Sequence, residues 1–207
     1  TYSATVPLIE GSNTITATAT DLAGNKGIAE TTIFRDMVAP TISDLTPADG
    51  AYVATATPTI SATISDAAPS SGIDAGSIVM TVDGLTVTHA YNSSTGVVSY
   101  TPSELTPLAD GSHVVTVDVS DLAGNAAETA SWSFTVDITP PVVTIGPVTT
   151  PTNVATQTIA GAYTEVNLAG IDVNGVEAIV TPGVTPGTGT YSATVPLIEG
   201  SNTITAT

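Results

Sequence analysis

Carboxylates are the residues of this chain that could do chemistry, and they recur. Asp121 and Asn125 bracket an Asp-Leu-Ala-Gly-Asn pentapeptide, and Asp21 and Asn25 bracket an identical one. Asp36 and Asp137 each stand shortly before a proline. Asp66 opens a loop that runs on to Asp74, and Glu165 takes the matching place later in the chain. Nineteen acidic residues are set against only Lys26 and Arg35, for a formal net charge of −17. Several hard oxygens around one point suit Ca²⁺, which takes about six to eight oxygen ligands at roughly 2.3–2.6 Å. The same residues have a simpler use, because an Asp at the head of a turn accepts hydrogen bonds from the backbone that follows it. Both readings stay open on the sequence alone.

Other chemistries fare worse. Phosphate contacts need a basic face, so nucleic acid is excluded as a partner, and an anionic membrane surface is disfavoured for the same reason. The chain has no Cys, hence no disulfide and no thiolate metal site. No signal peptide or bilayer-spanning run is present. No catalytic residue is assigned: His89 and His113 lie on or beside strand candidates, and neither G-x-S-x-G nor H-E-x-x-H occurs. Trp132 alternates with Phe134 and Val136, which reads as core rather than as a ligand platform. Asn92-Ser93-Ser94 is an N-glycosylation sequon in a loop.

The elements that must position these carboxylates are strands. Thr, Val and Ile with frequent Gly and Pro favour β structure, and no stretch carries a helical apolar period. Thr1–Val6, Ser12–Thr20 and Ala29–Phe34 read as strands, and Arg35–Pro40 as a linker. Seven strand candidates follow: Thr41–Thr46, Thr59–Ser65, Ser77–Val82, Leu85–Ala90, Val97–Thr101, Val114–Ser120 and Thr129–Val136. Asp83-Gly84 is a hairpin turn between two of them. Seven short strands with regular turn signals predict a β-sandwich. After a second linker at Asp137–Pro141, Val142–Ile145, Gln157–Tyr163, Leu168–Val173, Val176–Val180 and Tyr191–Val195 begin another, with its hairpin turn at Asn174-Gly175.

Residues 1–18, TYSATVPLIEGSNTITAT, recur letter for letter at 190–207, a period of 189 residues. So long a copy implies a tandem array, and the chain is expected to be one period of it plus a short overlap. The two domain types are themselves related, since Pro7-Leu8, Gly11-Ser12 and Asp21–Asn25 recur at Pro107-Leu108, Gly111-Ser112 and Asp121–Asn125 with one constant offset. The expected organisation has residues 1–38 as the C-terminal part of a type B domain. Residues 39–137 form a complete type A domain, and 138–207 the N-terminal part of the next type B.

The DLAGN turn after a Thr/Val-rich strand, with Val136-Asp137-Ile138-Thr139-Pro140-Pro141 leading onward, resembles the tandem bacterial Ig-like domain repeats of large extracellular surface or adhesin-type proteins. The resemblance implies an all-β fold of tandem Ig-like β-sandwiches in an extended array, outside the cell or on its surface. Loops of such a sandwich alternate between its poles, so the turns holding Asp66 and Asp121 share the pole where the linker brings in Asp36. The expected Ca²⁺ ligands are therefore Asp36, Asp66, Asp121 and Asn125 at the junction before domain A. Asp137, Glu165 and the next copy of Asp21 and Asn25 are expected at the junction before domain B. Some members of the resembling family hold calcium between successive domains. The implied role is a non-enzymatic stalk or fibre segment for surface display, adhesion or filament formation, with neighbouring repeats as partners. Two alternatives remain open: an adhesin module binding glycan or protein through loops such as Ala67–Asp74, and a subunit that assembles laterally with copies of itself into a sheath or fibre.

Overall fold

Paired turns and alternating apolar residues organise the strands. The computed structural model describes residues 2–207; Thr1, where the first strand candidate begins, lies outside the described residues. The chain divides into two compact units, Thr1–Ile138 and Thr139–Thr207.

The first unit opens with a hairpin. Strands β1 (Gly11–Thr20) and β2 (Lys26–Arg35) pair antiparallel around the first DLAGN turn. Asn13, Ile15 and Ala17 lie directly across from Ile33, Thr31 and Ala29, so these six share one face.

A sandwich follows. One sheet has the order β3 (Thr41–Thr46), β5 (Ile60–Ser65), β9 (Val97–Tyr100), β8 (Ala90–Asn92). The other has the order β4 (Ala51–Val53), β11 (Ala130–Val136), β10 (Gly111–Asp118), β6 (Val79–Val82), β7 (Leu85–Thr86). Ile60, Ala62 and Ile64 face inward from the first sheet, against Val115, Val117, Trp132, Phe134 and Val136 from the second, all of them buried. Full burial of one large apolar side chain contributes about 1.5–3 kcal/mol, so this two-layer core is the main source of the fold's stability. Trp132 is 3% exposed, which makes it a core residue.

Three details differ from the sequence expectations. Ser77–Val82 is not one strand: a 3₁₀ turn spans Ala75–Ser77 before β6 begins at Val79. The strand expected over Leu85–Ala90 is split, because β7 stays with β6 while β8 crosses to pair with β9. Strand β4, which alternation over three residues could not reveal, pairs parallel with β11.

In the second unit, β12 (Val142–Ile145), β13 (Thr156–Thr164), β17 (Thr188–Pro196) and β16 (Ile179–Pro182) form a sheet in that order. The short hairpin β14 (Asp172–Val173) and β15 (Val176–Glu177) lies apart from that sheet. Of the expected strand Leu168–Val173 only Asp172 and Val173 are extended in a ladder, and Val176–Val180 is divided between β15 and β16. Residues 2–9 form no strand, whereas the copy of residues 2–7 at 191–196 lies in β17 between β13 and β16. The same letters become a strand only where partners flank them. No helix among the described residues is long and apolar enough to cross a membrane.

Two glycine–tyrosine pairs fix the register of β13 and β17. Gly161 lies across from Tyr191, and Gly189 across from Tyr163. The tyrosine rings lie over the glycines, and the Tyr191 hydroxyl donates to the Thr144 carbonyl at 3.0 Å. A methyl group at position 161 would collide with the Thr144 carbonyl oxygen and the Tyr191 ring. Gly161→Ala is expected to destabilise the second unit by about 1–3 kcal/mol, the usual cost of overpacking, with the first unit unaffected. Urea unfolding followed by amide signals from each unit checks this.

Candidate metal centre

The centre is built from three pieces of backbone. Asp36 follows β2, Asp66 follows β5, and Asp121 opens the DLAGN turn after β10. That turn folds as its residues dictate: the Asp121 N–H donates to the Asn125 carbonyl, and the Gly124 N–H returns to the Asp121 carbonyl. Gly124 has φ +92°, a left-handed conformation that glycine adopts without steric cost. Asp121 Oδ1 accepts from the Asn125 N–H at 2.8 Å and Oδ2 from the Asn125 side-chain amide at 2.6 Å.

One carboxylate oxygen from each of Asp36, Asp66 and Asp121 lies within 4.8 Å of the other two. Asp121 is 2% exposed and Asp36 9%. Asp36 Oδ2 accepts from the Ser71 N–H at 2.6 Å, and Oδ1 from the Val38 N–H at 3.0 Å. Hydrogen bonds from Ser71, side chain first and then backbone, hold the Asp36 carboxyl below the usual carboxylate range against the opposing effect of burial. Asp66 Oδ2 accepts from the Gly72 N–H at 3.1 Å, while its Oδ1 is buried with no hydrogen-bond partner. A buried carboxylate oxygen without a partner is costly. The Arg35 guanidinium is turned elsewhere, donating to the Leu8 carbonyl at 2.6 Å.

Asn125 sits in the same group, but its amide N–H groups go to Asp121 and to the Asp36 carbonyl at 3.2 Å. It ties the incoming linker to the turn. Ser71 was not legible as part of the centre: it lies in a Pro-Ser-Ser-Gly loop with no spacing signal, yet it grips Asp36 and its hydroxyl accepts from the Ala123 N–H at 3.1 Å. The second expected set is distributed along the chain. Asp21 and Asn25 repeat the turn bonds of Asp121 and Asn125 but are exposed, and hydrogen bonding by Asn25, its side chain foremost, lowers the Asp21 pKa. Glu165 accepts from the Asn167 N–H at 3.0 Å, and the Asp137 N–H donates to the Val53 carbonyl at 3.0 Å.

The family comparison bears on the sandwich that carries this centre. The bacterial Ig-like domain profile matches residues 36–136. Those residues are a bacterial Ig-like domain. The match begins at Asp36, so the domain includes the linker carboxylate. Among solved structures, the chain is similar to a tetra-tandem repeat from the extending region of a large adhesion protein, at 24% identity and TM-score 0.38, covering 97% of this chain and 48% of that one. It is also similar to fibronectin(III)-like modules of Clostridium thermocellum CbhA, at 21% identity and TM-score 0.35, covering 62% of this chain and 64% of that one. A third similarity is to an endo-β-1,4-mannanase from Thermotoga petrophila, at 17% identity and TM-score 0.38, covering 49% of this chain and 20% of that one. The chain thus spans less than two thirds of each of these structures. No curated protein matches it.

The Ig-like domain also holds a polar pair that the sequence did not reveal. His113, expected as a polar strand residue, is 6% exposed and faces the core beside Phe134. Its Nδ1 bonds Asp83 Oδ2 at 2.7 Å and its Nε2 bonds the Ala109 carbonyl at 2.8 Å. Both ring nitrogens meet acceptors, which suits the imidazolium. Burial opposes the charge, but the Ala109 carbonyl and Asp83 together outweigh it and raise the His113 pKa above 6.5. Asp83 is also disfavoured as an anion by burial, yet His113 and the Val114 N–H leave its pKa lowered, so it stays ionised across the neutral range. A raised folded-state pKa gives stability that is complete below the unfolded value and lost as pH rises through the folded one. The Ig-like domain is therefore expected to melt at progressively lower temperature as pH climbs above about 6.5, the ordinary imidazole value. His113→Asn, which installs the residue found at the equivalent position 13, is expected to flatten that dependence in calorimetric scans across pH.

Proposed function

We propose that the chain is a structural stalk segment of a large extracellular tandem-repeat protein, and that Ca²⁺ held by Asp36, Asp66 and Asp121 stiffens the joint where the linker enters the Ig-like domain. The observation that carries this reading is the buried, partnerless Asp66 Oδ1 beside two further carboxylates. A divalent cation would offset both the mutual repulsion of the three groups and the lost solvation of that oxygen, as hard oxygen donors suit calcium. Asn125 and Ser71 would hold the ligands in place. Crossing strands in one pole, the ion would tie the linker to two loops of the sandwich and restrict bending there. The 189-residue repeat supports the array, and the small charged fraction with a large net negative charge suits an extended, self-repelling module.

The equivalent joint would use Asp137, Glu165 and the next copy of Asp21 and Asn25. Glutamate there replaces the aspartate of domain A, and its longer side chain adds reach.

The test is melting of the chain with excess Ca²⁺ and with chelator. A ligand of the native state at one hundred times its Kd stabilises by about 2.7 kcal/mol. For a domain of this size that moves Tm by roughly 10–20 °C. Asp66→Asn and Asp121→Asn are expected to remove the response while leaving the domain folded in chelator. Identical melting in calcium and chelator would rule out the metal-stiffened joint.

A further inference from the structure

Every strand pair among the described residues is antiparallel except one. Strand β4 runs parallel to β11, with Ala51, Tyr52 and Val53 across from Phe134, Thr135 and Val136. A parallel pair needs a long crossover between its members, and here most of the sandwich supplies it. The two strands also lie near the two ends of the Ig-like domain: β4 follows only β3, and β11 is the last.

We propose that β4 and β11 form a mechanical clamp, in which tension along the chain loads their hydrogen bonds in shear and Asp49 and Asp110 close the two ends. The inference rests on the stalk reading for the source of the tension. It adds the device that resists it.

Direction is the first support. Tension arriving through the entry linker draws β4 from its first residue, and tension on the exit linker draws β11 from its last. In a parallel pair those two ends are opposite, so the strands are driven past each other along their common axis. Their bonds then stretch together, and none opens without the others. Strand β3 meets the load before β4 but holds less well, because its register with β5 shifts between Ser43 and Thr46 and Asp44 has φ +50°.

Stitching beyond the ladder is the second. On the entry side the Gly50 N–H donates to the Ser133 carbonyl at 2.8 Å. Asp49 Oδ1 accepts from the Ser133 N–H at 2.9 Å and from its hydroxyl at 3.3 Å. The turn that sets these bonds is closed by the Ala51 N–H on the Ala48 carbonyl at 3.0 Å. On the exit side the Asp137 N–H donates to the Val53 carbonyl at 3.0 Å, and the Ile138 N–H to Asp110 Oδ1 at 2.9 Å. The linker before the domain is held alike, by the Met37 N–H on the Glu10 carboxylate at 3.1 and 3.3 Å. Glu10 and Asp110 occupy the same place in the two Pro-Leu-x-acid-Gly-Ser turns, so this exit contact repeats with the sequence.

Shielding is the third. Phe134 and Val136 on β11 are each 1% exposed, so the inner side of the patch is closed to water that could replace its bonds as they stretch.

Pulling single molecules of the full chain in chelator tests this. Rupture of the Ig-like domain is recognised by a gain of roughly 30 nm, from about 3.3–3.6 Å per released residue. The chain has no Cys, so Thr55→Cys with Ile138→Cys gives two unique handles just past β4 and β11, at the same end of the pair. Pulled there, the strands peel apart one bond at a time rather than sharing the load over evenly spaced bonds, and the rupture force is expected to fall about two- to threefold. Asp49→Ala, pulled from the chain ends, is expected to unfold about tenfold faster at fixed force, the rate equivalent of one hydrogen bond still made at the barrier. Asp118→Ala, which removes an exposed carboxylate bonded to the Thr129 hydroxyl outside the patch, is expected to leave that rate unchanged. Equal rupture forces in the two pulling geometries, or equal acceleration by the two substitutions, would overturn the clamp. With no cation present in these traces, that failure leaves the metal-stiffened joint standing, and melting that ignores calcium leaves the clamp standing.

Discussion

Each apolar strand face in this chain needs a second layer over it, and that requirement decides what each stretch becomes. Residues 191–196 are a strand because β13 pairs with all of them and β16 with Tyr191 and Ser192, and residues 2–7, with the same letters, are not. Strand propensity is satisfied equally in both places, so propensity is not what separates them. The Ig-like domain shows the completed state. Its last strand, β11, lies between β4 and β10, and the inward residues of β10 and β11 are buried to within a few per cent.

Charge acts on top of this. With nineteen acidic residues against two basic ones, the chain cannot neutralise carboxylates by ion pairing, so it solvates them or bonds them to backbone. Several of its Asp-headed turns do the latter: Asp21, Asp121 and Asp74 all accept from backbone N–H groups two to four residues ahead. His113 supplies the other solution, a buried imidazole ring between Asp83 and a carbonyl. Asp66 differs from both, since one of its oxygens has been carried out of water without a partner.

Much of the fold was legible because its signals are local. Asp83-Gly84 and Asn174-Gly175 show positive φ at both residues, as a tight hairpin demands, and both hairpins were readable from the dipeptides alone. The alternation of Trp132, Phe134 and Val136 likewise announced an inward face. What escaped depended on distant partners. Strand β4 exists only because β11 offers it a parallel edge, and β8 leaves β7 because β9 offers it one. His113 reads as a polar strand residue until Asp83, thirty positions away, is seen across from it. The pairing of Gly161 with Tyr191 and of Gly189 with Tyr163 shows only once the two strands are set side by side. For the carboxylates, repetition of the turns and the alternation of loops between poles pointed to Asp36, Asp66 and Asp121 as neighbours. The grip of Ser71 on Asp36 joins residues thirty-five apart and left no mark in the sequence.

The turn reading and the metal reading of DLAGN, which compete on sequence, need not compete in three dimensions. The turns at 21–25 and 121–125 share the hydrogen bonds between their Asp and Asn, yet Asp21 is exposed and Asp121 is 2% exposed, and the Ala N–H that bonds Asp21 in the first turn bonds Ser71 in the second. The difference lies in what arrives from outside the turn. At 121–125, Asn125 also donates to the Asp36 carbonyl, and the linker brings the Asp36 carboxylate alongside Asp66. Turn chemistry thus fixes one carboxylate in each of the two turns, and at 121–125 the preceding linker and a loop of the sandwich bring two more beside it. A site made this way joins the entering linker to two loops of the domain. On the proposed reading, a cation held there would tie the linker to two loops of the sandwich and resist bending where the chain enters the domain.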